Sequence, residues 1–174
     1  MECLLSPIDP NIRPNVIGDA RAWRPRFERL LARCAIVKAS VEDLAFLYGA
    51  GVDARAWARH WLTAGPKLVI ITRGGDGASV FLGNSTFDLP VRKVHVIDTV
   101  GAGDSFHAAM LVSLEEQNLL RPARNREFIA GCRHACHELR GRGVVNYLFA
   151  SGRGSAGICR CRGHPQPMMR QPLA

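Results

Sequence analysis

No stretch of this 174-residue chain approaches the roughly 18–20 continuous apolar residues that a membrane-spanning helix needs. Its first residues, MECLLSPIDPNIRP, lack the basic start, apolar run and small-residue cleavage site of a secretory leader. A cytoplasmic location with no membrane partner is therefore expected. The sequence contains no G-x-x-x-x-G-K-[ST], which excludes a P-loop as the source of any phosphate binding. Aromatic residues are sparse at 7%, yet 47% of the chain is hydrophobic and 22% charged, ordinary values for a domain with a sizeable core. This composition excludes a disordered chain, a collagen-like repeat and a small disulfide-stapled scaffold. No internal repeat is visible.

Acidic residues are scarce in one region only. Residues 1–120 carry 13 Lys+Arg against 13 Asp+Glu, whereas residues 121–174 carry 10 Arg, no Lys, no Asp and only Glu127 and Glu138. The whole net charge of +8 thus sits in the last third, together with Cys132, Cys136, Cys159 and Cys161. Beyond about residue 130 no period of 2 or 3.6 is sustained. That stretch reads either as a natural disordered tail or as an out-of-frame C-terminus from a GC-rich gene, the second being preferred. Neither reading expects a packed core there. The C-x3-C and C-x-C spacings, with His134, His137 and His164 nearby, do not match the C-x2-C pairs of structural zinc sites. The arginines could bind acidic polymers non-specifically, but no aromatic interleaving supports a specific nucleic-acid reader.

Up to about residue 120, short β-like runs alternate with helical patterns, as in an α/β protein. Leu4 to Ile8 is apolar and ends at Asp9-Pro10. A helical stretch follows in which Pro25 suits a first turn and Phe27, Leu30 and Leu31 share a face. Ala35 to Val37 reads as a buried strand. Ser40 can cap a helix over Val41 to Tyr48 with Glu42 and Asp43 in its first turn, and Gly49-Ala50-Gly51 ends it. Asp53 opens another helix to about Thr63.

Lys67 to Thr72 is the clearest strand, a continuous apolar run suited to a parallel sheet covered on both faces. Arg73 to Gly77 is a turn, and Ala78 to Leu82 with Thr86 to Leu89 suggest a hairpin. Val94 to Ile97 reads as a strand leading into Asp98-Thr99-Val100-Gly101-Ala102-Gly103-Asp104, and a helix is expected from about Ser105 to Leu119.

That last segment carries the chemistry. Gly-Ala-Gly at a helix N-terminus leaves backbone N–H groups free, lets an anion approach closely and places it in the favourable end of the helix dipole. An aspartate at the end of such a loop would be repelled by a phosphate, so Asp104 makes sense there if it takes a proton from a hydroxyl beside a phosphoryl group. The plainer alternative is a strand-to-helix turn with Asp104 as an N-terminal cap.

DTVGAGDSFHAAM resembles the C-terminal signature of the PfkB/ribokinase carbohydrate kinases, D-T-x-G-A-G-D. Three further segments agree in order and spacing. SPIDPNIRP is similar to the D-P-N-x-R-P stretch of fructokinase-like members, IVKASVEDL to I-x-K-x-N-x-x-E-L, and VIITRGGDGASVF to the strand-turn-strand that borders the nucleotide. The resemblance implies a doubly wound, ribokinase-like α/β sheet with helices on both faces, and transfer of the ATP γ-phosphoryl group to a sugar hydroxyl. It implies Asp104 as the base, Gly101, Ala102 and Gly103 as an anion hole, and Thr72, Gly74 and Gly77 as the nucleotide turn. Asn11 and Arg13 match a polar pair near substrate and phosphates. Asp98 and Val100 fall where many members hold a monovalent cation such as K⁺.

The family's Asn-x-x-Glu, linked to Mg²⁺, reads Ser40-Val41-Glu42-Asp43 here, so Asp43 takes the place of the longer carboxylate. Family members run to about 300 residues and SPIDPNIRP belongs near their middle. The resemblance therefore implies a chain truncated at the N-terminal side, with residues 1–126 as the C-terminal portion of the kinase domain and 127–174 as an atypical tail. A non-catalytic nucleotide-binding remnant and a basic-tail nucleic-acid binder are the alternatives. A small-molecule sugar is the expected partner, and a homodimer is a candidate assembly. His60, His95 and His107 read as surface or packing residues, and Trp23, Trp57 and Trp61 as core or interface packing.

Overall fold

The computed structural model describes residues 6–90, 100–116 and 119–120. Within them the chain runs β1 (Pro7–Ile8), α1 (Pro14–Ile17), α2 (Ala20–Leu31), β2 (Ile36–Ser40), α3 (Val41–Tyr48), α4 (Ala54–Ala64), β3 (Leu68–Thr72), β4 (Ala78–Leu82), β5 (Ser85–Leu89) and α5 (Ala102–Glu116). The expected strand over Val94 to Ile97, Asp98, His95 and the whole Arg/Cys-rich tail lie outside the described residues.

The five strands lie side by side in sequence order, β1-β2-β3-β4-β5. Helical crossovers join β1 to β2 and β2 to β3, so these three run parallel. A 3₁₀ turn over Gly74–Asp76 joins β3 to β4, and the Gly83-Asn84 loop joins β4 to β5; both pairs are antiparallel. The expected parallel α/β sheet is present with this antiparallel hairpin added at one edge.

Alternation along the strands sends residues to two cores. Val37, Ala39, Val69, Ile71 and Phe81 face α2, α3 and α4, where Phe27, Leu31, Leu44, Leu47 and Trp61 are buried. Ile36, Leu68, Ile70, Val80 and Leu82 face Phe106, Met110 and Leu114, an i, i+4, i+8 stripe on α5. Helices therefore cover both faces, which is why β3 is apolar at nearly every position.

The caps follow the sequence. Asp19 accepts the Arg21 N–H at the start of α2, and Asp53 accepts those of Arg55 and Ala56 at the start of α4. Ser40 and Asp43 form a reciprocal capping box on α3. Pro25 is a correction: α2 begins at Ala20, so the proline stands inside the helix rather than in its first turn. Arg21 and Pro25 are both exposed, so water can bond the Arg21 carbonyl that the missing N–H leaves unpaired. The tryptophans pack as expected. Trp61 is fully buried, edge-on to Phe27 at 5.2 Å, and Trp57 stacks on Tyr48 at 3.6 Å.

Candidate active site

The parallel strands all end on the same edge of the sheet, where open α/β folds bind their ligands. Ser40 pairs with Thr72 at the last rung of β2 and β3, and the turn after β1 comes up beside them. The N-terminus of α5 approaches from the opposite face. Between these pieces lies a cavity of about 350 Å³, large enough for part of a nucleotide or a sugar.

The turn after β1 is built by carboxylates. Asp9 Oδ1 accepts the Asn11 N–H at 3.0 Å, a local bond that lets Asn11 hold a φ of 39°. One residue on, Ile12 is buried and its N–H donates to Asp43 Oδ1 at 2.8 Å. With Ile12 anchored, Asn11 and Arg13 on either side are exposed and both line the cavity.

Asp43 serves this turn and α3 together. It is buried, and its second oxygen accepts the Ser40 N–H at 2.8 Å. Each carboxylate oxygen thus already holds one backbone N–H. Its neighbour Glu42 is exposed on the cavity wall.

The turn after β3 supplies a second wall. The Thr72 hydroxyl donates to the Ala39 carbonyl at 3.3 Å across the β2–β3 gap. Gly74 (φ 52°) and Gly77 (φ 89°) then reverse the chain, and the Gly77 N–H donates to Gly74 O at 3.2 Å. Gly77 is required twice over. Its backbone is left-handed, and a Cβ there would run into the Leu89 carbonyl oxygen.

The third wall is the start of α5, which opens at Ala102 rather than at Ser105 as expected. Gly101 takes a φ of 74° and its carbonyl accepts the Ser105 N–H at 2.9 Å. The amides of Ala102, Gly103 and Asp104 precede that first helical bond, so none has an acceptor within the helix. Ala102 and Gly103 line the cavity. Asp104 follows them as an exposed first-turn residue, and Val100 precedes them, 89% exposed. The structure therefore brings Asn11, Arg13, Asp43, Thr72, Gly74, Gly77, Ala102 and Gly103 to one cavity, with Gly101 and Asp104 adjoining it along the chain.

Sequence reasoning met Lys38 only as a fixed position of the I-x-K-x-N-x-x-E-L segment and gave it no role. It lies inside an apolar strand, is 4% exposed, and reaches the cavity with its ammonium 2.8 Å from Asp9 Oδ2. A lysine in the middle of a buried strand was the available signal, since such a residue needs a partner. His107 of α5 completes the group, its Nδ1 3.8 Å from the same Asp9 oxygen, beyond hydrogen-bond reach. Burial pushes the Asp9 carboxyl up, but the neighbouring His107 and Lys38 outweigh it and hold Asp9 below the ordinary carboxylate value.

A sheet of this order, with its cavity at the ends of the parallel strands and a glycine turn opening a helix there, is the architecture of the ribokinase-like sugar kinases. The likeness is measurable against a solved fructokinase double mutant from Vibrio cholerae O395 in fructose-, ADP- and potassium-bound form. Its TM-score is 0.63 at 26% identity, over 84% of this chain and 44% of that one. Residues 5–126 match the pfkB family of carbohydrate kinases, and the chain belongs to that family. Among curated relatives it is 47% identical to a fructokinase of Rhizobium leguminosarum bv. trifolii over 113 residues, 65% of this chain and 34% of that protein. It is 33% identical to an aminoimidazole riboside kinase of Salmonella typhimurium over 130 residues, 74% of this chain and 40% of that protein. The chain thus spans little more than a third of the length of these relatives.

Proposed function

We propose that this chain carries the phosphoryl-transfer side of an ATP-dependent, fructokinase-like sugar kinase working in the cytoplasm. The observation that supports this most directly is the convergence of three turns, at Asn11–Arg13, Thr72–Gly77 and Gly101–Gly103, on one cavity. Thr72, Gly74 and Gly77 border the nucleotide. Arg13 and Asn11 meet the phosphates and the sugar. The amides at Ala102 and Gly103 receive the charge that builds on the transferring group, which is the main demand of phosphoryl transfer on a protein.

In the reaction the sugar hydroxyl oxygen attacks the γ-phosphorus, the bond from that phosphorus to the ADP oxygen breaks, and the hydroxyl proton passes to Asp104. The exposure of Asp104 leaves its carboxylate accessible to such a hydroxyl. Asp43, by its place in the sequence, and its neighbour Glu42 would be the carboxylates to hold Mg²⁺. Glu42 is the better suited to direct contact, because both Asp43 oxygens already bond backbone N–H groups. When bound, the ion would neutralise phosphate charge. Val100, which directly precedes the Gly101–Gly103 turn, and Asp98, which lies outside the described residues, are the proposed monovalent cation site.

Coupled ADP release tests this reading, with Mg-ATP and fructose, ribose, aminoimidazole riboside or 2-keto-3-deoxygluconate, and Asp104→Asn as control. Sugar-dependent ADP release that disappears in the control is the expected result. Folded, monodisperse protein that binds Mg-ATP but releases no ADP with any of these sugars would overturn transfer and leave a nucleotide-binding chain.

A further inference from the structure

Gly103 does not hold a positive φ, so backbone conformation gives no reason for a glycine there. Beyond the close approach of an anion, the structure gives a reason of space. A Cβ on Gly103 would lie 2.9 Å from Lys38 Nζ, the one neighbour within 4 Å. The missing side chain lets a buried ammonium sit directly against the turn that opens α5.

The placement follows from the sheet. Ile36 and Lys38 point to the α5 face of β2 while Val37 and Ala39 point to the other. Lys38 is therefore carried under the N-terminus of α5, two rungs short of the strand's end. Asp9 holds it from behind at 2.8 Å, with side-chain exposures of 5% for Lys38 and 13% for Asp9. A buried ion pair is a poor device for stability alone, because desolvating both charges offsets most of their attraction and an apolar pair would serve as well. Asp9 occupies one of the three ammonium donors, and Lys38 still lines the cavity. His107 Nδ1, buried with no hydrogen-bond partner among the described residues, flanks Asp9 on the side of α5.

We infer that Lys38 is a phosphate-binding residue of this site, its ammonium tethered by Asp9 beneath Gly103 so that it bonds the phosphoryl group received by the Ala102–Gly103 amides. The inference rests on the kinase reading and deepens it. It makes Gly103 a spacer for a cation as well as an amide donor, and Asp9 the positioning residue that aims the cation.

The test compares binding of a non-hydrolysable Mg-ATP analogue and of Mg-ADP to the full chain by calorimetry, because Lys38 lies at the turn that meets the transferred phosphate rather than at the nucleotide turn. Lys38→Met should weaken the triphosphate by on the order of 10- to 100-fold, the contribution of one charge-assisted hydrogen bond, and the diphosphate by much less. Lys38→Gln, which keeps a hydrogen-bond donor for Asp9 but carries no charge, should give the same selective loss, and it decides the matter if Lys38→Met does not fold. Unchanged affinities, or equal losses for both nucleotides, would overturn the inference and leave Lys38 a structural residue. A wild-type chain that binds neither nucleotide would overturn the kinase reading and this inference with it.

Discussion

Ser40 and Asp43 hold each other's backbone amides. The Ser40 hydroxyl accepts the Asp43 N–H at 3.1 Å, and Asp43 Oδ2 accepts the Ser40 N–H at 2.8 Å. The same carboxylate reaches across 31 residues of sequence to the Ile12 N–H, so a helix cap also ties down the turn that presents Asn11 and Arg13. Asp43→Ala leaves two backbone donors without their acceptor, one of them buried. A loss of about 2–4 kcal/mol is expected from the cap and the stranded amides together, read as a lower urea midpoint. Asp43→Asn keeps an oxygen acceptor for one amide and should lose less. Equal stability of Asp43→Ala and wild type would refute this linkage.

Gly77 closes the turn between β3 and β4 with a φ of 89°, and its α-hydrogen faces the Leu89 carbonyl. Gly77→Ala must strain the backbone and push β5 away from the end of β4. A destabilisation of at least about 1–3 kcal/mol is expected. Faster amide exchange should be confined to β4, β5 and the turn, with α2 and α4 unaffected.

Asp9 sets part of the response to acid. Its folded pKa lies below the ordinary 3.8, so on acidification the unfolded chain takes up this proton before the folded one does. The stability contributed by the Lys38 pair is complete above the ordinary value and is lost as pH falls through the lower folded value. Asp9→Asn should cost about 3–5 kcal/mol at neutral pH by leaving Lys38 buried without its anion. It should also flatten the acid limb of a stability-against-pH curve between about pH 5 and pH 2. Parallel curves for variant and wild type would show that Asp9 does not carry this dependence.

Trp61 anchors the core beneath α2, α3 and α4. It is fully buried, packs edge-on against Phe27 and donates its ring N–H to the Tyr48 hydroxyl at 3.0 Å. Trp61→Ala should cost about 3–5 kcal/mol through the cavity it leaves. Tyr48→Phe removes only the acceptor and should cost about 1–3 kcal/mol. Chemical denaturation separates the two, and a larger loss for Tyr48→Phe would reverse the assignment of Trp61 as the anchor.

The candidate site was largely visible in the order of residues. The caps at Ser40 and Asp53, the strand ending at Thr72, the Gly74–Gly77 turn and the Gly101–Asp104 helix start are each set by residues within a few positions of one another. Such signals survive in a bare sequence because backbone geometry and local hydrogen bonds create them. Pro25 was misread for the same reason. A proline suits a first turn locally, and only the longer helix held by the buried Phe27 and Leu31 carries it into the interior.

By itself, then, the sequence determined most of these elements, the caps at Ser40 and Asp53 and the two glycine turns, since these depend on neighbours along the chain. The tertiary structure alone decided that Asp9, Lys38 and His107 would meet beneath Gly103. Those residues come from β1's turn, the middle of β2 and the second turn of α5, and nothing local relates them. They meet because β1 and β2 pair in parallel register, β-strand alternation turns Lys38 toward the α5 face, and the apolar stripe of α5 packs down on that same face. Burying that stripe fixes where the helix lies on the sheet, and hence which buried charge lies under its first turn.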